Sequence, residues 1–181
     1  MPLSIRPGVD ADASALAELA AITFPLATPD DTTAEAIESF VADVLSTERF
    51  REYLASPDRI VLVADDGDRA VGYVMLVVGD PHDPDVVAAV RTRPTIDLNK
   101  FYVHPDHHGR GTAATLMAAA VEAARATGAR SLWLGVNEEN ARANRFYEKQ
   151  GFAVVGTKRF ALGDRYEHDF VRELVLEDVP G

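Results

Sequence analysis

A chain of 181 residues is long enough for one packed domain of ordinary size, expected to span residues 1–181. With 47% hydrophobic and 26% charged residues and no cysteine, the composition excludes disorder, a disulfide scaffold, thiolate-held metal centres and a cysteine nucleophile. The net charge of -11 argues against nucleic-acid binding through a global positive field. No apolar run reaches membrane-spanning length, and the opening MPLSIRPGVDAD lacks the basic and apolar regions of a secretory signal, so no membrane partner and a cytoplasmic location are expected. The charge is uneven. Residues 1–70 carry 5 basic and 14 acidic side chains, whereas residues 98–160 carry 9 basic and 5 acidic, the one cationic segment.

In chain order, a short strand is expected over 4–6, then a helix over 10–24 with Leu16, Leu19, Ala20 and Phe24 at helical spacing. Asp10 or Asp12 would cap it and Pro25 and Pro29 would end it. Thr32 and Glu35 have capping-box spacing before the stripe Ile37, Phe40, Val41 and Val44, and a break near Ser46 precedes a further turn or two up to Pro57. The period then changes: 60–64 and 70–78 read as a β-hairpin around Gly67. Residues 79–94, with three prolines, form a long loop holding at most one helical turn at 86–90, read either as functional or as a solvated connector. A strand over 96–103, a helix over 111–126, a strand over 131–136 and a helix over 139–149 follow, with last strands over 152–156 and 170–175.

The turn His108-Gly109-Arg110-Gly111-Thr112-Ala113 sits where a strand feeds a helix N-terminus. Small residues let the backbone approach a ligand closely, and the free amides of a first helical turn suit phosphate oxygens, to which Arg110 adds a full charge. The same residues also read as a plain tight turn. They form neither a Walker loop nor a dinucleotide fingerprint. His104, His107 and His108 with Asp106 raise a metal site, but Pro105 prevents a regular helical ligand pair and no second cluster completes it, so no metal is expected. Trp133 and Met117 are expected in the core.

The run from Asn137 to Phe152 has the spacing Asn-x-x-Ala-x-x-Phe-Tyr-x-x-x-Gly-Phe. Together with Phe101-Tyr102-Val103-His104-Pro105 and the Gly-Arg-Gly turn, it resembles the GNAT N-acetyltransferase superfamily. The tail Phe160-Ala161-Leu162-Gly163-Asp164 and the start Ile22-Thr23-Phe24 look like the PaiA-type polyamine acetyltransferases. The resemblance implies an α/β fold: a twisted mixed sheet flanked by helices, with splayed parallel strands forming an acetyl-CoA cleft. The cofactor arm would pair along Phe101, Tyr102 and Val103, and its pyrophosphate would lie on amides from Gly109 through Arg110, Gly111, Thr112 and Ala113 to Ala114. His108 stands where the family usually has Gln or Arg. Asn137, Asn140 and Asn144 follow the strand on the cofactor side, Asn140 touching the cofactor arm, and Lys149 reaches a phosphate or covers a solvated helix face.

Acetyl transfer needs a neutral amine, a polarised thioester and a proton for the departing thiolate. Tyr147 occupies the family's general-acid position, with a core tyrosine as the alternative. Asn99 sits where several polyamine-type relatives carry Glu and cannot act as a base. Asp97, two residues earlier and on the same face of a regular strand, is the nearest carboxylate, acting directly or through water, or else an ordinary solvated side chain. The expected activity is direct acetyl transfer from acetyl-CoA to a small-molecule amine such as a polyamine, without a covalent enzyme intermediate. Protein N-termini, amino-acid or drug amines, and a non-catalytic acyl-CoA-binding module stand as alternatives, and a homodimer is left open. The cationic segment coincides with the proposed phosphate site, and the acidic N-terminal segment supplies helices expected beside the acceptor.

Overall fold

The computed structural model describes residues 2–176. Seven strands, β1 (Ser4–Pro7), β2 (Arg59–Asp65), β3 (Ala70–Val78), β4 (Thr95–Val103), β5 (Ser131–Asn137), β6 (Ala153–Leu162) and β7 (Arg165–Val175), form one sheet in the order β1-β2-β3-β4-β5-β7-β6. Every neighbouring pair is antiparallel except β4 and β5. β2 and β3 are rich in Val, Leu and Ile, β2 has no fully exposed residue and β3 is buried along most of its length, as a sheet covered on both faces requires.

Helices cover the two faces unequally. On one face lie α5 (Thr112–Ala126) and α6 (Ala141–Lys149), packed over Leu98, Leu132, Leu134 and Phe152 through Leu116, Met117, Ala120 and Tyr147. On the other lie α1 (Ala13–Ala27), α2 (Ala34–Val44) and α3 (Thr47–Ala55), whose Leu16, Phe24 and Phe50 pack on Val63, Tyr73 and Met75. A short α4 (Pro84–Ala89), capped by Asp83, closes over Trp133 and Val171 through Val86. Phe50 and Tyr73 are fully buried and meet edge to face at 5.5 Å, a pairing that adds about 1 kcal/mol to the burial of the two rings.

Local chemistry moves several expected boundaries. Pro25 does not end α1 but lies inside its last turn, because a missing N–H removes only one hydrogen bond there. The helix stops at Ala27, where the Thr28 hydroxyl donates to the Pro25 carbonyl at 2.8 Å. Asp12 stands at the N-cap of α1, but its carboxylate is held by both terminal nitrogens of Arg6 at 2.8 and 2.9 Å and by the Val9 amide. Thr33, not Thr32, caps α2 by accepting from the Ala36 amide, and Ser46 caps α3 by accepting from Arg49. The last two strands are far longer than 152–156 and 170–175: they form a continuous hairpin from Ala153 to Val175 that turns at Gly163 (φ 66°). The PaiA-like tail is thus the tip of this hairpin, packed on α2 through Phe160 against Phe40, with ring centroids 5.4 Å apart. The Arg165 guanidinium grips Asp31 with two hydrogen bonds beside it.

Candidate active site

The parallel pair opens the molecule. β4 and β5 are matched only from Thr95 with Ser131 to Asp97 with Trp133. Beyond Asp97 the two strands diverge and leave the β5-facing edge of β4 without a strand partner. The cause lies in β4 itself: Met75 pairs with Lys100 and Leu76 with Leu98, so Asn99 is an extra residue with no partner on β3. Such a bulge raises the local twist and bends its strand. The resulting cleft has a volume of ≈ 1160 Å³, beyond the roughly 300–1,000 Å³ of a single small-ligand pocket and sufficient for a cofactor arm and an acceptor together.

One half of the cleft is built from backbone. Phe101, Tyr102 and Val103 line it, followed by His107, His108, Gly109, Gly111, Thr112, Ala113 and Ala114. Gly109 and Gly111 have φ of 79° and 80°, the left-handed region, and a Cβ on either would meet nothing within 4 Å, so their role is conformational. They turn the chain so that the first amides of α5, which have no intrahelical acceptor, face the cleft. His108 folds back on β4: its Nε2 lies 2.9 Å from the Val103 carbonyl and donates to it in the Nε2–H tautomer. One carbonyl of the expected pairing edge is therefore already engaged. Arg110 is exposed and lies outside the cleft lining.

α6 supplies the wall opposite this edge. Asn140 caps the helix by accepting from the Ala143 amide, and with Asn137, Arg142, Ala143, Phe146 and Tyr147 it lines the cleft. Tyr147 sits among Phe101, Phe146 and Phe152 at 6.2, 5.6 and 5.9 Å between ring centroids. Burial pushes its phenol well above the ordinary value, so it keeps its proton at neutral pH. Asn144 points elsewhere: its amide donates to the Asn137 and Asn140 carbonyls and its oxygen accepts from the buried Arg172, so this side chain is spent on joining α6 to β7. Lys149 is exposed and outside the lining.

The other half of the cleft lies on the α1–α3 face. Arg59, Val77, Asp97 and Trp133 are successive cross-strand partners and so share this face. The bulge adds Lys100 to it, whereas a regular strand would have sent Lys100 to the α5 face with Leu98. Asp97 and Asn99 do meet, as the spacing implies: the Asn99 amide donates to the Asp97 carboxylate at 2.9 Å, and Lys100 donates to the Asn99 oxygen at 3.0 Å. Burial raises the Asp97 carboxyl to about 6, against the pull of Asn99, Lys100 and Lys158. Burial likewise lowers the Lys100 ammonium to about 8, Asp97 opposing and Arg59 assisting. Asp169 is raised to about 6, chiefly by burial, and pairs with Lys158 at 3.9 Å. Gly135 makes this possible, since a Cβ there would lie 2.8 Å from the Lys158 side chain.

Sequence reasoning missed Arg59, Lys100, Lys158, Glu167 and Asp169, all in the cleft lining. The alternation Lys158-x-Phe160 and Glu167-x-Asp169 was the signal available for three of them, provided both strands were read at full length. The acidic N-terminal segment does not place its charge at the acceptor side. Glu35, Glu38 and Asp43 are exposed, and α1 and α2 present Thr23, Phe24, Leu26, Phe40 and Val44 to the cleft. His104 accepts from the Asp106 amide, and His107 lies 3.4 Å from Asp66. Among the described residues no cluster of three or more His, Cys, Asp or Glu could hold a metal ion, and no helix is long and apolar enough to cross a membrane.

The sequence profile of the acetyltransferase (GNAT) family matches residues 24–152. An uncharacterized N-acetyltransferase of Mycobacterium tuberculosis is 46% identical over 166 residues, covering 91% of this chain and 99% of the relative. The streptothricin acetyltransferase of Streptomyces lavendulae is 34% identical over 119 residues, 59% of this chain and 63% of its own length. Among solved structures, the PaiA N-acetyltransferase of Thermoplasma acidophilum, in complex with coenzyme A, matches with a TM-score of 0.79 at 21% identity, over 97% of this chain and 100% of that one.

Proposed function

The chain belongs to the acetyltransferase (GNAT) family and is an N-acetyltransferase, and from that premise we propose direct acetyl transfer from acetyl-CoA to the primary amine of a small molecule. The observation that carries the proposal is the splayed β4–β5 pair, which puts an unpaired strand edge, a helix N-terminus and a buried phenol on one side of an opening and a half-buried carboxylate on the other. The residues present suit the co-substrate. The edge from Phe101 to Val103 offers backbone groups to an amide-bearing arm, although His108 occupies the Val103 carbonyl. The α5 amides behind Gly109 and Gly111 suit a pyrophosphate.

An alkylammonium ion has a pKa near ~10 and must lose a proton before it attacks. Asp97, ionised above about pH 6, takes that proton directly or through water. The amine nitrogen then forms a bond to the thioester carbonyl carbon, and collapse of the tetrahedral adduct breaks the carbon–sulfur bond. Tyr147, whose phenol burial keeps neutral, gives its proton to the departing sulfur, and the phenolate recovers one from the former amine nitrogen, which sheds its second hydrogen as the amide forms. Asn99 orients Asp97 through the 2.9 Å hydrogen bond and exchanges no proton. The polyamine acceptors implied by the PaiA-like tail fall within this class of small-molecule amines.

Thiol release from acetyl-CoA, measured over spermidine, spermine, streptothricin, aminoglycosides, amino acids and N-terminal peptides, tests the reading. Release above background hydrolysis with a small amine is the expected result. Acetyl-CoA binding by calorimetry with no release across the panel overturns it in favour of a binding module.

A further inference from the structure

The charges on the acceptor side of the cleft do not cancel evenly. Of the three carboxylates there, Asp169 faces Lys158 at 3.9 Å and Glu167 is ion-paired with Arg165 at 2.7 Å. Asp97 has no cation within ion-pair distance among the described residues. Its partner is the Asn99 amide. Of the three cations, Lys158 is paired with Asp169, whereas no carboxylate among the described residues lies within 4.0 Å of Arg59 or Lys100. These two share one aromatic ring, with Arg59 5.3 Å and Lys100 5.4 Å from the Tyr53 centroid. Arg59 spends one terminal nitrogen on the Ser56 hydroxyl, and its Nε is buried with no hydrogen-bond partner.

Two cations held over one ring, both lining the cleft and neither with a carboxylate beside it, form an incomplete arrangement, because their mutual repulsion is left without a counter-charge. A carboxylate supplies what is missing: it accepts from the guanidinium's terminal nitrogens and from the ammonium and offsets the repulsion between the two cations. The cross-strand row puts Arg59 and Asp97 two strands apart on one face, roughly 10 Å between backbones, with both side chains entering the same cleft. A diamine or polyamine would bring a second cation against Arg59 and Lys100. An amine with its own carboxylate would satisfy them.

Resting on the acetyl-transfer reading above, we infer that the acceptor is an amine that also carries a carboxylate, its anionic end held by Arg59 and Lys100 and its amine turned to Asp97. The acceptor class is amino-acid-like, and the apolar side chains Phe24, Phe40, Val44 and Met75 receive its carbon chain. The nearby cations add a second effect. They disfavour the ammonium form of the bound amine, which eases the proton loss that must precede attack.

Matched acceptors that differ by one carboxylate test the inference: lysine with 1,5-diaminopentane, phenylalanine with phenethylamine, and 4-aminobutanoate with butylamine. With the full chain and acetyl-CoA, the carboxylate-bearing member of the best-used pair is expected to show kcat/KM about tenfold or more above its partner. Arg59→Met and Lys100→Met are each expected to bring that ratio close to one, chiefly by raising KM for the carboxylate-bearing member. Equal or better use of the decarboxylated amine by the unsubstituted enzyme overturns the inference and leaves acetyl transfer standing, with no variant needed. A ratio that survives both substitutions also overturns it. No thiol release with any member of any pair overturns this inference, while release with another amine of the wider panel leaves acetyl transfer standing and silence across that whole panel overturns it as well.

Discussion

Replacing Asp97 by Asn is expected to move stability and activity in opposite directions. Burial raises this carboxyl from 3.8 to about 6 in the folded protein. Between those values the folded chain holds the proton and the unfolded chain has released it, so the folded state binds more protons. The contribution of Asp97 to stability is therefore most favourable below about pH 4. It falls as pH rises towards and through 6, reaching a cost of about 3 kcal/mol once both states are ionised. Asn has nearly the same shape, carries no charge and can still accept from the Asn99 amide. The variant should match the parent in urea unfolding at about pH 4 and exceed it by up to about 3 kcal/mol at about pH 8. Its kcat/KM should fall by ~10²–10⁴ through loss of the base. The rise of kcat/KM near pH 6 in the parent should vanish with it. Asp169 titrates in the same range, so Asp169→Asn is the control and should keep that rise. Parent-like activity in Asp97→Asn, or an unaltered rise near pH 6, refutes the assignment of Asp97 as base.

Tyr147→Phe keeps the ring contacts with Phe101, Phe146 and Phe152 and removes only the phenolic proton. Calorimetric acetyl-CoA affinity should be retained while kcat falls by ~10²-fold or more, and an unchanged kcat at saturating substrate removes Tyr147 from the mechanism. Asn144→Ala takes the acceptor from Arg172 Nε, leaving Nη1 on the Phe152 carbonyl at 2.8 Å. Thermal or urea unfolding should show a loss of about 2–3 kcal/mol with little change in acetyl-CoA affinity, and a selective loss of affinity at parental stability contradicts the structural role. Gly111→Ala meets no steric obstacle within 4 Å but must hold φ 80°, at about 1–2 kcal/mol. A raised KM for acetyl-CoA with kcat retained is expected from steady-state kinetics, and an unaltered KM argues against this turn as the phosphate cradle.

Much of the fold was legible because it rests on local rules. The spacing of Leu16, Leu19, Ala20 and Phe24, the stripe Ile37, Phe40, Val41 and Val44, and the hairpin turn around Gly67 each identify an element from a few neighbouring residues. Boundaries that depend on one hydrogen bond were misplaced: Thr33 rather than Thr32 takes the cap of α2, and Pro25 is tolerated in the last turn of α1. The β6–β7 hairpin was read short because its polar residues, Lys158, Glu167 and Asp169 among them, look like loop in a linear window. They face a cleft that the window does not contain.

What the sequence by itself determined is the mixed α/β class, the glycine turn ahead of α5 and the aromatic run around Tyr147, all carried by short-range spacing. What only the tertiary structure decided is which charges meet. Asn99 is a bulge only because β3 counts its residues differently from β4, and that single unpaired residue moves Lys100 from the α5 face to the side of Asp97. Segment charge sums, acidic over 1–70 and cationic over 98–160, gave no guide to the acceptor side, since strand pairing brings together Arg59, Asp97, Lys100, Lys158 and Asp169 from four separate strands. The physical reason is that burial and Coulomb interaction depend on distance in space, whereas the order of residues along a chain constrains distance only within an element.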